Sequence, residues 1–255
     1  MDFDIFDDQM RKFERSLDRI VPSGVHIVVR LDGHGFTKLT KESWDLERPF
    51  DIKFHDIMVS TVEHLIRNCN FRIVYGYTQS DEISLLLHVD DNAFGRKERK
   101  LLSILASEAS VAFSIAAGRH AVFDSRIVPL PGIDDIVDYF RWRQEDALRN
   151  CLESHCYWML RKQGDSASEA GAKIKGTPNT AKKEMLVANG IKFEELPTWQ
   201  TLGTGFYFKN VTLEAADQKG NTVEYTRRRL FVDETLPYGR EYGCLVEAIV
   251  DGGVR

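Results

Sequence analysis

The chain has 255 residues, 43% of them hydrophobic and 11% aromatic, enough to fill a sizeable core in one large domain or two smaller ones. A formal net charge of -5 argues against a protein that coats nucleic acid by charge alone, although a basic stripe can sit on an acidic body. The opening "MDFDIFDDQM" lacks the basic and apolar regions of a signal peptide, and no stretch approaches the roughly 20 apolar residues of a membrane span, so the expectation is a cytoplasmic protein with no membrane partner. Cys69, Cys151, Cys156 and Cys244 form no CxxC pair and read as reduced thiols.

Phe6, Met10, Phe13 and Leu17 have helical spacing, closed by Pro22-Ser23-Gly24. "VHIVVRL" (25–31) is a β-branched apolar run of the kind covered on both faces, and "DGHGF" reads as its exit loop. A second helix is expected over 50–68, with Phe54, Ile57, Met58, Val62, Leu65 and Ile66 on its apolar face. Strands over 71–77 and 83–89 follow, joined through "TQSD". "RKERKLLSILASEASVAFSIAAG" is helical, with Gly118 as its C-terminal stop, and "AVFDSRIVPLP" is a further strand. The order β-α-β-β-α-β is that of a ferredoxin-like sheet, which brings Asp32 and Asp81 to the same edge.

Beyond Pro131 the composition shifts, and a boundary falls near 131–136, between a region 1–132 and a C-terminal α+β region 133–255. A long helix rich in Arg, Trp and Tyr comes first. It is followed by "DSASEAGAKIKGTPNTAKKEMLVANG", expected as a flexible link into a short helix, and by two strands joined through "KGNT".

Asp32 follows one buried strand, and Asp81 with Glu82 precedes another, so carboxylates from separate segments can converge on one or two divalent cations. Hard oxygen donors beside phosphates are what Mg²⁺ requires. Gly33 and Gly35 would let backbone approach a metal or phosphate closely. Read locally, Asp32-Gly33 is equally a turn and "SDE" a polar hairpin tip. "GRKERK" opens a helix where free N–H groups favour anions, while its lysines and arginines oppose the helix dipole, so phosphate is a simple explanation for them. Arg141, Trp142, Arg143 and Arg149, with Lys173, Lys175, Lys182 and Lys183, are candidate RNA contacts, since cations neutralise phosphates and Trp stacks on bases.

"VVRLDGHGFTKL", "YGYTQSDEISLLL", "FDSRIVPLP", "DYFRWRQEDALRNCL" and "KGTPNTAKKEML", in this order over roughly residues 25–210, resemble the tRNA-His guanylyltransferase family, and more closely its guanylyltransferase-like branch. The resemblance implies a polymerase/cyclase-like palm on the βαββαβ core, with a helical and β-hairpin C-terminal region for tRNA contact and oligomerisation. It implies 3′–5′ nucleotide addition to tRNA 5′ ends, with ATP and GTP as substrates, and assembly as a homotetramer. By position, Asp32, the Gly33 carbonyl and Asp81 would hold two Mg²⁺ ions with Glu82 in support. Ser80, His34, Gly35, Phe36 and Thr37 would border the nucleotide, and Arg30, Arg48, Asp51, Arg96, Lys97 and Lys100 would fall at nucleotide-facing positions. Thr37 stands where the family often has a histidine. Where tRNA-His enzymes carry His-Ile-Asn-Asn-Leu-Tyr-Asn, this chain has "LRNCLES" (148–154), with only Asn150 and Leu152 matching. That departure favours templated repair of truncated tRNA 5′ ends. The alternative is addition of one G to tRNA-His; a non-catalytic RNA binder or a nucleotide cyclase fits the motifs less well.

Overall fold

The computed structural model describes residues 2–40, 44–216 and 222–252. In chain order its elements are α1 (Phe3–Arg15), β1 (His26–His34), α2 (Phe36–Lys38), α3 (Ile52–Asn68), β2 (Ile73–Gln79), β3 (Glu82–Leu87), α4 (Glu98–Ala117) and β4 (Val122–Leu130). Then come α5 (Ile133–Lys162), α6 (Ala167–Ile174), α7 (Asn179–Val187), α8 (Thr198–Thr201), β5 (Thr204–Ala216), β6 (Thr222–Asp233) and α9 (Arg240–Val250).

The strands form one sheet in the order β4-β1-β3-β2-β5-β6. Its first four strands, with α3 and α4, are the βαββαβ unit expected from the sequence. Every pairing is antiparallel. β1 lies centrally and is covered on both faces, which is why its sequence does not alternate: Ile27, Val29 and Leu31 pack with α3 and α4, whereas Val28 packs with α5 and α9. On the first face Met58, Val62, Leu65, Leu101, Leu105 and Phe113 fill an apolar core. On the second, tyrosines do much of the packing, and Tyr75 and Tyr242 share a buried hydroxyl hydrogen bond of 2.9 Å.

Several local readings are corrected. Asp32 and Gly33 lie within β1, which runs on to His34, so the chain leaves the strand later than a DG turn suggests. The connection between β2 and β3 is only Ser80-Asp81, because Gln79 already pairs with Glu82. The short helix expected before Gly190 is α7, but the segment expected as a flexible link into it is itself helical, as α6. Ser166 and Glu169 cap α6 reciprocally, and Ala170, Ile174 and Leu186 bury against α5. The C-terminal strands do not stand apart, since β5 pairs with β2 from Tyr75↔Tyr207 to Thr78↔Thr204 and extends the same sheet. Most of the expected "KGNT" turn, 219–221, lies outside the described residues. α4 is, against expectation, long and apolar enough to cross a membrane by composition, yet it lies on the sheet and buries Leu101, Leu105, Ala109 and Phe113.

Candidate active site

Register brings the acidic groups together. Asp32 of β1 stands beside Glu82 of β3 on one side and Asp124 of β4 on the other. The Gly33 N–H donates to the Asp81 carbonyl at 3.1 Å, which ties the tip of the β2–β3 hairpin to β1. That tip is a two-residue turn with Ser80 at φ 55°, a left-handed conformation that is sterically unfavourable for a residue with a Cβ. The Ser80 hydroxyl donates to Asp81 Oδ1 at 3.0 Å, and the Thr78 hydroxyl donates to the Glu82 carbonyl at 2.7 Å. Gly33 has a steric reason of its own: a Cβ there would fall 2.5 Å from the ring of Phe36, which is buried under it.

The electrostatics separate the three acids. Burial, followed by repulsion from Glu82, raises Asp32 above the ordinary carboxylate range. Burial, followed by repulsion from Asp32, pushes Asp81 up to about 6. Among the described residues no Lys or Arg forms an ion pair with either. Glu82 is different, because it accepts from Arg30 Nη2 and, at 3.0 Å, from Arg143 Nη1. Arg143 reaches on to Asp146 at 3.3 Å and lies 3.6 Å over the Trp142 ring. Two carboxylates, one from β1 and one from the β2–β3 turn, with no Lys or Arg ion pair to either among the described residues, are a hard-oxygen donor set that fits Mg²⁺. Glu82, tied to two guanidiniums, holds the hairpin against β1 and α5.

Beside the acids opens a cleft of about 340 Å³. Of the residues expected at the site, Phe36, Thr37, Arg48, Asp51, Ser80, Asp81, Glu82 and Asn150 line it. His34, the last residue of β1, and Gly35 just beyond it are exposed. Arg48 donates to the carbonyls of Leu46 (2.6 Å) and Trp44 (3.2 Å) and lies 5.3 Å over the Trp158 ring. Asp51 is occupied locally, as its carboxylate caps α3 through the N–H groups of Lys53 and Phe54 and accepts from the Glu47 N–H. Trp199 and His55, stacked at 4.3 Å, also line the cleft. The sequence carries no signal for Trp199, because it stands on the four-residue α8 and reaches the site only through tertiary packing.

The basic start of α4 is a correction. Arg96 is 5% exposed, and its guanidinium donates to the carbonyls of Val21, Val25, Val89 and Asp91. Those carbonyls lie where β1 begins, about 20 Å along the strand from Asp32 at ~3.3 Å per residue. Lys97 pairs with Asp18 at 3.3 Å, and Lys100 lies 6.0 Å over the Phe94 ring, so this cluster builds the far end of the sheet. Arg30 likewise points to Glu82. Among the expected RNA contacts, Arg143 and Lys182 are buried, Lys182 pairing with Glu153 at 2.8 Å, and neither presents a free cation. Arg141 pairs with Asp138, Arg149 with Asp146, Lys173 with Asp165 and Lys183 with Glu194, all on the surface, where such pairs are weak. Lys175 is exposed. A second open cleft, of about 640 Å³, collects Trp142, Arg149 and Lys183 beside Tyr238.

Comparison with known proteins places these features. The family model described as tRNAHis guanylyltransferase matches residues 7–131, and that of the Thg1 C terminal domain matches 134–234. The tRNA(His) guanylyltransferase of Debaryomyces hansenii is 35% identical over 69% of this chain and 70% of that protein. The probable tRNA(His) guanylyltransferase of Drosophila melanogaster is 33% identical over 80% and 73%. Among solved structures, the tRNA(His) guanylyltransferase of Saccharomyces cerevisiae superposes with a TM-score of 0.70 at 26% identity, covering 77% of this chain and 90% of that one. A bacterial guanylyltransferase-like protein in complex with GTP gives 0.74 at 25% identity, covering 96% and 98%.

Proposed function

This chain belongs to the tRNAHis guanylyltransferase family, and we propose that it transfers a guanylyl group from GTP to the 5′ end of tRNA-His after activating that end with a nucleoside triphosphate. The observation that carries this reading is the Gly33–Asp81 backbone bond, which sets Asp81 on the cleft wall beside the strand that carries Asp32, two carboxylates with no Lys or Arg ion pair among the described residues. Supporting it are the names of the curated relatives and the GTP and ATP bound in the bacterial structures.

Asp32 and Asp81, with the Gly33 carbonyl, would hold Mg²⁺, which when bound neutralises phosphate charge and favours in-line displacement at phosphorus. The chain's own residues do the positioning. Ser80 and Asp81, in a turn too short to swing, face the triphosphate. Phe36 and Thr37 flank the nucleotide, and Arg48, anchored by two carbonyls above Trp158, offers a cation on the far wall. Glu82, clamped by Arg30 and Arg143, keeps the hairpin from drifting. The active unit is a cytoplasmic homotetramer, an assembly to which the exposed apolar face of α1, with Phe3, Phe6 and Phe13, lends support.

One observation favours a second reading, templated 3′–5′ extension of truncated tRNAs. The stretch 148–154, where this chain departs from the tRNA-His enzymes, supplies the departing residues Glu153 and Ser154 to the cleft wall beside the matching Asn150, so the departure falls on the site itself. The discriminating experiment incubates the protein with Mg²⁺, ATP and all four nucleotides, using tRNA-His and several tRNAs that lack their first nucleotide. Addition of a single G to tRNA-His alone supports the guanylyltransferase. Extension of many truncated tRNAs, with each base set by the opposite strand, replaces it with the repair polymerase.

A further inference from the structure

The side of the molecule away from the cleft holds a second group of metal-ligating chemistry. His64 near the end of α3, Cys69 capping that helix and Glu108 in the middle of α4 present a ring nitrogen, a thiol sulfur and a carboxylate oxygen that all lie within 4.8 Å of one another. His64 Nε2 and Glu108 Oε2 are already 2.9 Å apart, and His64 Nδ1 is 3.1 Å from the side-chain amide of Asn68. Cys69 is 5% exposed. The His64 and Glu108 side chains keep 36% and 41% of their surface, so one flank of the group opens to water.

We propose that His64, Cys69 and Glu108 form a Zn²⁺ site that ties the C-terminal end of α3 to the middle of α4. One sulfur, one imidazole nitrogen and one carboxylate oxygen, with water in a fourth position, make a tetrahedral set suited to Zn²⁺ and poorly suited to Mg²⁺. Zn–S of about 2.3 Å and Zn–N and Zn–O of about 2.0–2.2 Å set the spacing that these three ligand atoms, within 4.8 Å of one another, would adopt around the ion. The proton balance is simple. The Cys69 thiol, which burial and the Glu108 charge push up to about 12, gives its proton to solvent as the Sγ–Zn bond forms. His64 binds through Nε2 with its proton on Nδ1, where the Asn68 side-chain oxygen accepts after the amide rotates, so one proton is released per ion. The site stands toward the opposite end of α3 from Phe54 and His55 of the cleft, from ~14 Å (His64) to ~21 Å (Cys69) along the helix from His55 at ~1.5 Å per residue. It is therefore separable from nucleotide transfer.

Co²⁺ is the probe, titrated into the full-length protein in a Cys244→Ser background, because Cys244 is the exposed cysteine. One equivalent should give thiolate-to-cobalt charge-transfer absorption with tetrahedral d–d bands, bleached by stoichiometric Zn²⁺. Cys69→Ser should lose the charge-transfer band, and Glu108→Gln, at a half-exposed position that leaves the fold intact, should weaken Zn²⁺ at least tenfold. Zn²⁺ should raise the Tm of the parent and leave that of Cys69→Ser unmoved. Absence of the absorption in the folded parent, or unchanged Zn²⁺ affinity in Glu108→Gln, overturns the proposal.

Discussion

The two ends of the central strand β1 hold ionised groups on opposite terms. Where β1 begins, Arg96 is buried and gives its guanidinium N–H groups to four backbone carbonyls. Where β1 ends, Asp32 and Asp81 are drawn together, and each is raised in pKa by burial and by a neighbouring acid. A buried charge whose hydrogen bonds are all met is part of the architecture; a cluster whose charge is left unmet stores affinity for a ligand of opposite sign. In sequence both look alike, polar residues flanking apolar strands. Only the partners distinguish them.

Substitutions at the two ends should therefore fail in opposite ways. Asp81→Asn is expected to reduce nucleotide transfer by about a thousandfold or more, equivalent to about 4 kcal/mol of lost charge stabilisation, while the Tm of the metal-free protein at pH 7 rises by roughly 5–10 °C. The sign follows from Asp81 lying at about 6 when folded against about 4 when unfolded. The native state then binds the proton more tightly, so stability falls as pH climbs from about 4 to about 6 and the penalty is fully present at neutrality. A Tm that drops, with transfer retained, would erase the contrast. Arg96→Met should do the reverse, stranding four carbonyls, each worth about 1 kcal/mol or more, and lowering the Tm by several degrees while transfer per folded molecule holds. Thermal melts paired with active-site titration measure both quantities.

A subtler change sharpens the comparison. Arg143 joins α5 to the β2–β3 hairpin by contacting Glu82 through Nη1 and Asp146 through Nη2, a span fixed by the planar guanidinium that the single nitrogen of an ammonium does not reproduce. Arg143→Lys keeps the charge and should slow transfer about tenfold through a looser hairpin, with affinity for GTP nearly unchanged. If KM rises with kcat unaltered, Arg143 binds nucleotide instead of holding Glu82.

Much of this was legible in the chain. The β-branched run of β1, the apolar period of α3 and α4 and the order of elements specify the βαββαβ unit, because burial imposes periods of 2 and 3.6 that any sequence must carry. The pairing of Asp32 with Asp81 followed from that topology. Local pattern was silent or misleading wherever the deciding partner is remote. Hydrogen bonding of β5 to β2 joins residues more than a hundred positions apart. The polar-looking run 165–190 folds as two helices because α5 covers Ala170, Ile174 and Leu186. Sequence by itself determined the strands and helices of the βαββαβ unit and the acids near their ends. The tertiary structure decided which cations those acids meet, since a salt bridge or a carbonyl cage depends on distances of about 3 Å, and spacing along the chain does not encode distance across it.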